Sequence, residues 1–274
     1  MKHPVLILSD LHLGHKASVL DDVATLEPLL RGAGTLVLNG DTWQELAREF
    51  YDDALRLWRD LQALCQRLEI DIISLPGNHD PGNRDRDFLA LAEGKIIIMH
   101  GDTVFPEVAP WSRTAMQKEH ELRVLIDAHP QERVEQRFAL AREVSRLLAP
   151  KTYPRKKNLL SRVWDAITPP GRAWRMLHSW ATMAGETRRF ATRYFPACEI
   201  MICGHFHRGG VWECDDLLVI NTGSFMPPGG AYWCEWHEGY LRMGQIQQTS
   251  GQWHRGKILG VWKVETPAEG FGLR

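Results

Sequence analysis

Val5-Leu6-Ile7-Leu8-Ser9-Asp10-Leu11-His12 is the stretch that sets the reading of the rest of the chain. Its apolar run has the length of a buried strand, and the strand ends on a carboxylate and an imidazole one residue apart. The same design recurs at Thr35-Leu36-Val37-Leu38, which runs into Asn39-Gly40-Asp41. It returns at Ile70-Asp71-Ile72-Ile73-Ser74-Leu75 ahead of Gly77-Asn78-His79-Asp80, and at Lys95-Ile96-Ile97-Ile98-Met99 ahead of His100-Gly101-Asp102. A last copy, Glu199-Ile200-Met201-Ile202-Cys203, leads into Gly204-His205-Phe206-His207. Helical spacing around Val19 to Leu30 and from about Phe50 to Leu68 separates the first strands. Buried strands alternating with amphipathic helices predict a layered α/β sheet, and such sheets bind ligands past the carboxyl ends of their strands.

The residues at those ends are oxygen and nitrogen donors of the kind that bind divalent Mn, Fe or Zn. Asp10 and His12 sit where the chain turns, and Asp41 offers two oxygens, enough to bridge two cations. Asn78 adds a neutral oxygen, and His100, His205 and His207 add nitrogens. Carboxylates supply charge while neutral donors leave the cations acidic toward substrate, the balance a two-metal hydrolytic site requires. Any one block could be a helix cap or a turn. Independent caps would not converge on ligand types after every strand.

The series D-x-H, G-D, G-N-H-D, H-G-D, G-H-x-H resembles that of the calcineurin-like metallophosphoesterases. The resemblance implies a four-layer α/β/β/α sandwich carrying a helical insertion, or cap. It implies two divalent ions, Mn2+ first, with Fe and Zn as alternatives. Asp10, His12, Asp41 and His207 would hold one ion, and Asp41, Asn78, His100 and His205 the other. His79 would contact the scissile phosphate or protonate the leaving group, with Asp80 orienting it. The expected reaction is hydrolysis of a phosphodiester or pyrophosphate bond by direct attack of metal-bound hydroxide, since no Ser or Cys nucleophile motif is present.

Leu8-Ser9-Asp10-Leu11-His12-Leu13-Gly14 and a helical insertion after the H-G-D block are also similar to the UDP-2,3-diacylglucosamine pyrophosphohydrolases of lipid A synthesis. Their best-known branch has Arg where this chain has His79. That similarity makes the expected partner a phosphorylated small molecule or lipid-nucleotide, with peripheral contact to a membrane's inner face. The alternatives are a phosphatase or phosphodiesterase on soluble nucleotides or nucleic acid, and a catalytically silent metal-binding interaction protein.

Between Trp111 and Phe195 strand signals vanish and helical spacing takes over, so residues 103–197 are expected to form the cap. Residues 1–102 and 198–264 would be the core, and 265–274 a C-terminal tail. Segment 103–197 holds 17 Lys and Arg against 9 Asp and Glu, although the whole chain has a net charge of −1. Lys151, Arg155, Lys156, Lys157 and Arg162, interleaved with Leu159, Leu160, Val163 and Trp164, suit anionic head groups. Short strands from Val211 to Val264 read as an antiparallel meander forming a second half-sheet. The five cysteines are odd in number and lack C-x-x-C spacing, which argues against a disulfide framework. No apolar run reaches the roughly 18 residues of a membrane span, and the start of the chain lacks the longer apolar region of a signal peptide, so a cytoplasmic location is expected. Arg208 is a candidate phosphate contact. His15 and Asn221-Thr222-Gly223-Ser224 are weaker candidates for lining the site.

Overall fold

In the computed structural model, which describes residues 1–149 and 170–265, the first three apolar runs become parallel neighbours. They are β1 (Val5–Leu8), β2 (Thr35–Asn39) and β3 (Asp71–Leu75), paired β1 with β2 and β2 with β3. Register matches Leu8 to Leu38 and Asn39 to Leu75, so the residues following all three strands arrive at one edge. The crossover between β2 and β3 is α2 (Tyr51–Arg67), which turns Ala54, Leu57, Trp58, Leu61, Leu64 and Cys65 toward the sheet. These recur at three- and four-residue intervals, the stripe of a helix laid on a core. The helical pattern expected from Val19 to Leu30 shrinks to a single 3-10 turn and a short α1 (Glu27–Leu30), with Asp22 accepting from the backbone of Ala24 at the start.

A second sheet has the order β4-β5-β6-β8-β7, formed by β4 (Leu89–Leu91), β5 (Ile96–Ile98), β6 (Ile200–Cys203), β7 (Gly210–Cys214) and β8 (Leu217–Asn221). The C-terminal strands differ from the meander expected of them. Only β7 and β8 join this sheet, whereas β9 (Tyr232–His237), β10 (Tyr240–Thr249) and β11 (Gln252–Lys263) extend the first one beside β1. The physical reason lies in β9, which is apolar on both faces. Trp233 packs toward the helices, while Cys234 and Trp236 pack toward the other sheet. Such a strand needs cover on both sides, which the place next to β1 supplies.

Three apolar clusters define the four layers. Leu6, Leu8, Leu36 and Leu38 meet α1 and α2 on one outer face. Val5, Ile7 and Val37 meet Ile96, Ile98, Ile202 and Ile220 between the sheets. Ile97, Met99, Met201 and Val219 meet Phe138 of α5 (Val134–Leu148) and Met183 and Phe190 of α6 (Pro170–Tyr194) on the other outer face. The alternation of Leu6 and Leu8 against Val5 and Ile7 is the two-residue period of a strand buried on both sides. Segment 103–197 thus supplies the fourth layer as well as helices above it. Its remaining described helices, α3 (Arg113–Gln117) and α4 (Glu119–Ala128), form with α5 a separate cluster around Leu122, Leu140 and Val144. The basic stretch from Lys151 to Arg162, with Leu159, Leu160, Val163 and Trp164, and nearly all of the expected C-terminal tail lie outside the described residues. Among the described residues, no helix is long and apolar enough to cross a membrane.

Candidate metal centre

The ends of the two sheets close on each other. Asp10, His12 and Asp41 leave the first sheet, and His100, His205 and His207 leave the second. Five of these six adopt left-handed backbone: Asp10 (φ 53°), His12 (φ 49°), Asp41 (φ 49°), His205 (φ 67°) and His207 (φ 52°). L-residues pay for that conformation, by about 1 kcal/mol or more each, and it concentrates at functional sites. Here it turns the chain sharply after each strand and aims the side chain across the edge. Backbone bonds from Asp10 N–H to Gly40 O (3.1 Å) and from His12 N–H to Asp41 O (2.9 Å) fasten the first two turns together. The Asp10 carboxylate accepts the His205 backbone N–H at 3.0 Å and so ties one sheet to the other.

Two donor groups result, and they share Asp41. Asp10, His12, Asp41 and His207 bring ligand atoms within 4.8 Å of one another, as do Asp41, His100 and His205. Asn78 lies on the wall that also holds Asp41 and His79, with its Oδ1 buried and without a hydrogen-bond partner. The structure therefore brings together six of the seven residues that the motifs single out as ligands, with Asn78 on the adjoining wall. Three of the four imidazoles have one nitrogen engaged away from the centre. His100 Nδ1 faces Asn39 O at 2.9 Å, His205 Nε2 faces Val108 O at 2.9 Å, and His12 Nδ1 faces the Gln44 amide at 3.0 Å. This leaves His100 Nε2, His205 Nδ1 and His12 Nε2 for the interior, and partners of this kind orient metal-binding histidines.

The electrostatics follow from burial. Burial would raise the carboxyls of Asp10 and Asp41, but the imidazoles around them hold both below the ordinary carboxylate range, His12 leading for Asp10 and His100 for Asp41. Burial pushes His205 down to about 3 and His79 down to about 4. His100 moves the opposite way: burial opposes its charge, yet Asp41 beside it, at 3.4 Å, raises it well above the usual histidine range.

Gly40 shows how closely the elements approach. It has a φ of +77°, and a Cβ placed on it would collide with the His100 ring. Gly40→Ala is expected to cost about 2–4 kcal/mol through backbone strain and overpacking. By thermal unfolding, Tm should fall by roughly 5–10 °C. An unchanged Tm would mean that the His100 ring has room to move aside.

A family profile described as calcineurin-like phosphoesterase matches residues 3–209. The chain belongs to that family. No curated protein matches it in sequence. Among solved structures, a dimetal phosphatase from Danio rerio is 12% identical, covering 96% of this chain and 99% of its own, with a TM-score of 0.46. Vacuolar protein sorting 29 from Cryptosporidium parvum is 13% identical over 95% and 97%, with a TM-score of 0.44. The Entamoeba histolytica Vps29 solved with Zn2+ is 14% identical over 95% and 98%, at 0.40. These TM-scores lie below 0.5.

Calcineurin-like phosphoesterases use divalent metals, and the donors here fit such ions. Two buried carboxylates call for compensating positive charge. His100 Nε2 and Asn78 Oδ1 are buried without hydrogen-bond partners, as atoms reserved for a ligand would be.

One expected role needs correction. Asp80 does not orient the His79 ring. Its carboxylate accepts the backbone N–H groups of Asp41 (2.9 Å), Thr42 (2.8 Å) and Gly77 (3.1 Å), and so clamps the loop that presents Asp41. The carboxylate is spent on the amides of the G-D turn and of Gly77 in its own turn, which the two turns bring together around it. Gln44, which no motif marked, faces His79 Nδ1 instead, at 3.0 Å. Asn221, Thr222 and Ser224 also work through the backbone, bonding Gly204 O, Cys203 O and Asp10 O beneath the site. His15 is half-buried beside His12, their ring centroids 6.0 Å apart, and burial pushes it down to about 3.

Above the donors lies a cavity of about 750 Å³. Asp41, Asn78, His79, His205 and His207 form its floor. Trp111, Leu148, Met176 and Trp180 line the side of the helical segment, and Met226, Pro227 and Tyr232 the opposite side. Arg113, Arg172 and Arg208 also reach it. Arg208 is held by a bond to Trp180 O at 3.1 Å and lies over the Trp212 ring.

Proposed function

We propose that this phosphoesterase hydrolyses a phosphodiester or pyrophosphate bond in an amphiphilic substrate, a lipid-nucleotide of the UDP-diacylglucosamine kind being the best fit. The observation that carries this reading is the apolar, arginine-edged cavity standing directly on the Asp and His cluster. Asp10, His12, Asp41 and His207 would hold one divalent ion, and Asp41, Asn78, His100 and His205 the other. Bound there, such ions supply Lewis acidity toward phosphoryl oxygens and make a water nucleophilic at neutral pH.

The chain's own residues do the rest. Asp41, fixed by the His79 backbone N–H at 2.8 Å and by the loop clamp of Asp80, sets the spacing of the two donor groups. His79 presents its ring at the cavity floor, where a donated hydrogen would meet a phosphate oxygen. The three arginines suit the remaining negative charge of a pyrophosphate or diester. Trp111, Met176 and Trp180 would exclude water and receive an apolar tail, each buried methylene contributing about 0.8 kcal/mol. In this reading segment 103–197 chooses the substrate.

A chain-length series tests it. With Mn2+ added, KM for p-nitrophenyl alkyl phosphodiesters is expected to fall about threefold to fourfold per added methylene until the cavity is filled. UDP-diacylglucosamine should be cleaved with a KM far below that of its deacylated form. Turnover with a KM indifferent to chain length would replace the amphiphile with a soluble substrate. Two metals bound with no turnover on any ester would favour a silent binding protein.

A further inference from the structure

Trp180, on α6, bonds to the residues on both sides of His207. Its indole Nε1–H donates to Phe206 O at 3.0 Å, and its own carbonyl accepts from Arg208 Nη1 at 3.1 Å. The same side chain lines the cavity. Phe206 is itself buried among rings of the helical segment, its centroid 5.9 Å from those of both Phe105 and Trp111. His205 and His207 flank it in left-handed backbone, at φ 67° and 52°. A chain turned twice in that conformation persists only where its surroundings hold it there.

His207 differs from the other donor histidines. His12, His100 and His205 each have a ring nitrogen engaged away from the centre, by Gln44, Asn39 O and Val108 O. Among the described residues no such partner meets His207 Nδ1, while its Nε2 lies 3.2 Å from Asp10 Oδ1 and 3.0 Å from His12 Nε2. What aims this ring is therefore the backbone from which it leaves. The Phe206 carbonyl and the His207 N–H belong to one planar peptide unit, so a bond that fixes the carbonyl also fixes the plane from which His207 departs. We propose that Trp180 is a positioning residue for His207, taking the place of the outer partner that the other three imidazoles have. Partners of that kind are worth roughly ten- to a hundredfold in metal affinity. Because the bond comes from the helical segment, the wall that would receive the substrate also sets one edge of the metal centre. This inference rests on the two-metal reading and adds to it a residue outside the ligand set.

The experiment is a calorimetric titration of the full chain with Zn2+, on wild type, Trp180→Phe, His207→Ala and the double variant, with Tm recorded for each. Phe keeps an apolar ring and removes the N–H. The site that His207→Ala weakens is the one built on Asp10, His12 and Asp41. In Trp180→Phe its affinity is expected to fall about tenfold while the other site is unchanged. In the His207→Ala background Trp180→Phe should change neither site, because the two substitutions act through one ring. Loss at both sites, or a loss that persists without the His207 ring, would make Trp180 a general support of the fold and overturn the proposal. A Trp180→Phe titration like that of wild type overturns it too, and leaves the two-metal reading standing. A wild type that takes up no Zn2+ overturns both. Should Trp180→Phe fail to fold, Trp180→benzothienylalanine, the same bicycle with sulfur in place of N–H, gives the same comparison.

Discussion

Asp41→Asn is expected to lower kcat/KM by roughly 10³–10⁴-fold, the equivalent of several kcal/mol of Lewis-acid stabilisation, and to leave the protein with fewer than two tightly bound metals. Asp41 belongs to both donor groups, is almost fully buried, and has His100 Nε2 at 3.4 Å and His12 Nε2 at 3.7 Å. Asn keeps the shape and one acceptor but removes the charge shared by both groups. Its amide nitrogen would also turn a donor toward histidines that carry lone pairs there. Metal analysis on the purified variant, beside steady-state kinetics, checks this. Full occupancy with unimpaired turnover would mean that Asp41 is not the shared ligand. Folding should survive, because the clamp on this loop runs through Asp80 and the backbone of residues 41 and 42.

The second large effect is at His79. His79→Ala is expected to cost about 10²–10³ in kcat, the range for removing one preorganised donor to a developing oxyanion, while metal content stays unchanged. His79 faces the cavity floor, and its ring meets the His12 ring edge-on, with centroids 4.9 Å apart. Its backbone N–H, which holds Asp41, is untouched by the substitution. Loss of metal together with turnover would instead make His79 a ligand.

The strands and the ligand types were legible because both are local properties of the sequence. A short branched apolar run predicts a buried strand, and a His or Asp just beyond it is visible as such. The strand order was less legible. Nothing local to β9 states that it pairs with β1, some two hundred residues earlier, and only the double-sided apolar character of Trp233, Cys234 and Trp236 hints at a sheet interior. An isolated glutamine such as Gln44 has no motif context, and its place in the site lies in what it touches, His12 and His79. Its place three residues after Asp41, in a loop otherwise rich in buried side chains, is the one signal that pointed inward. The place of Asp80 beside His79 in the sequence suggests a partnership, whereas its carboxylate reaches the amides of Asp41, Thr42 and Gly77. Val108 was invisible for the same reason as Gln44: its contribution is a carbonyl.

That carbonyl limits how the molecule can be rebuilt. Val108 is buried in left-handed backbone (φ 61°), and its oxygen holds His205 Nε2 at 2.9 Å, while Trp111 lies 5.2 Å from the same ring. A graft of a foreign helical segment between His100 and His205, cut at the last H-G-D residue, would discard the group that sets the tautomer of a donor histidine. A workable chimera keeps residues 103–111 with the sheets and makes its first junction only beyond them.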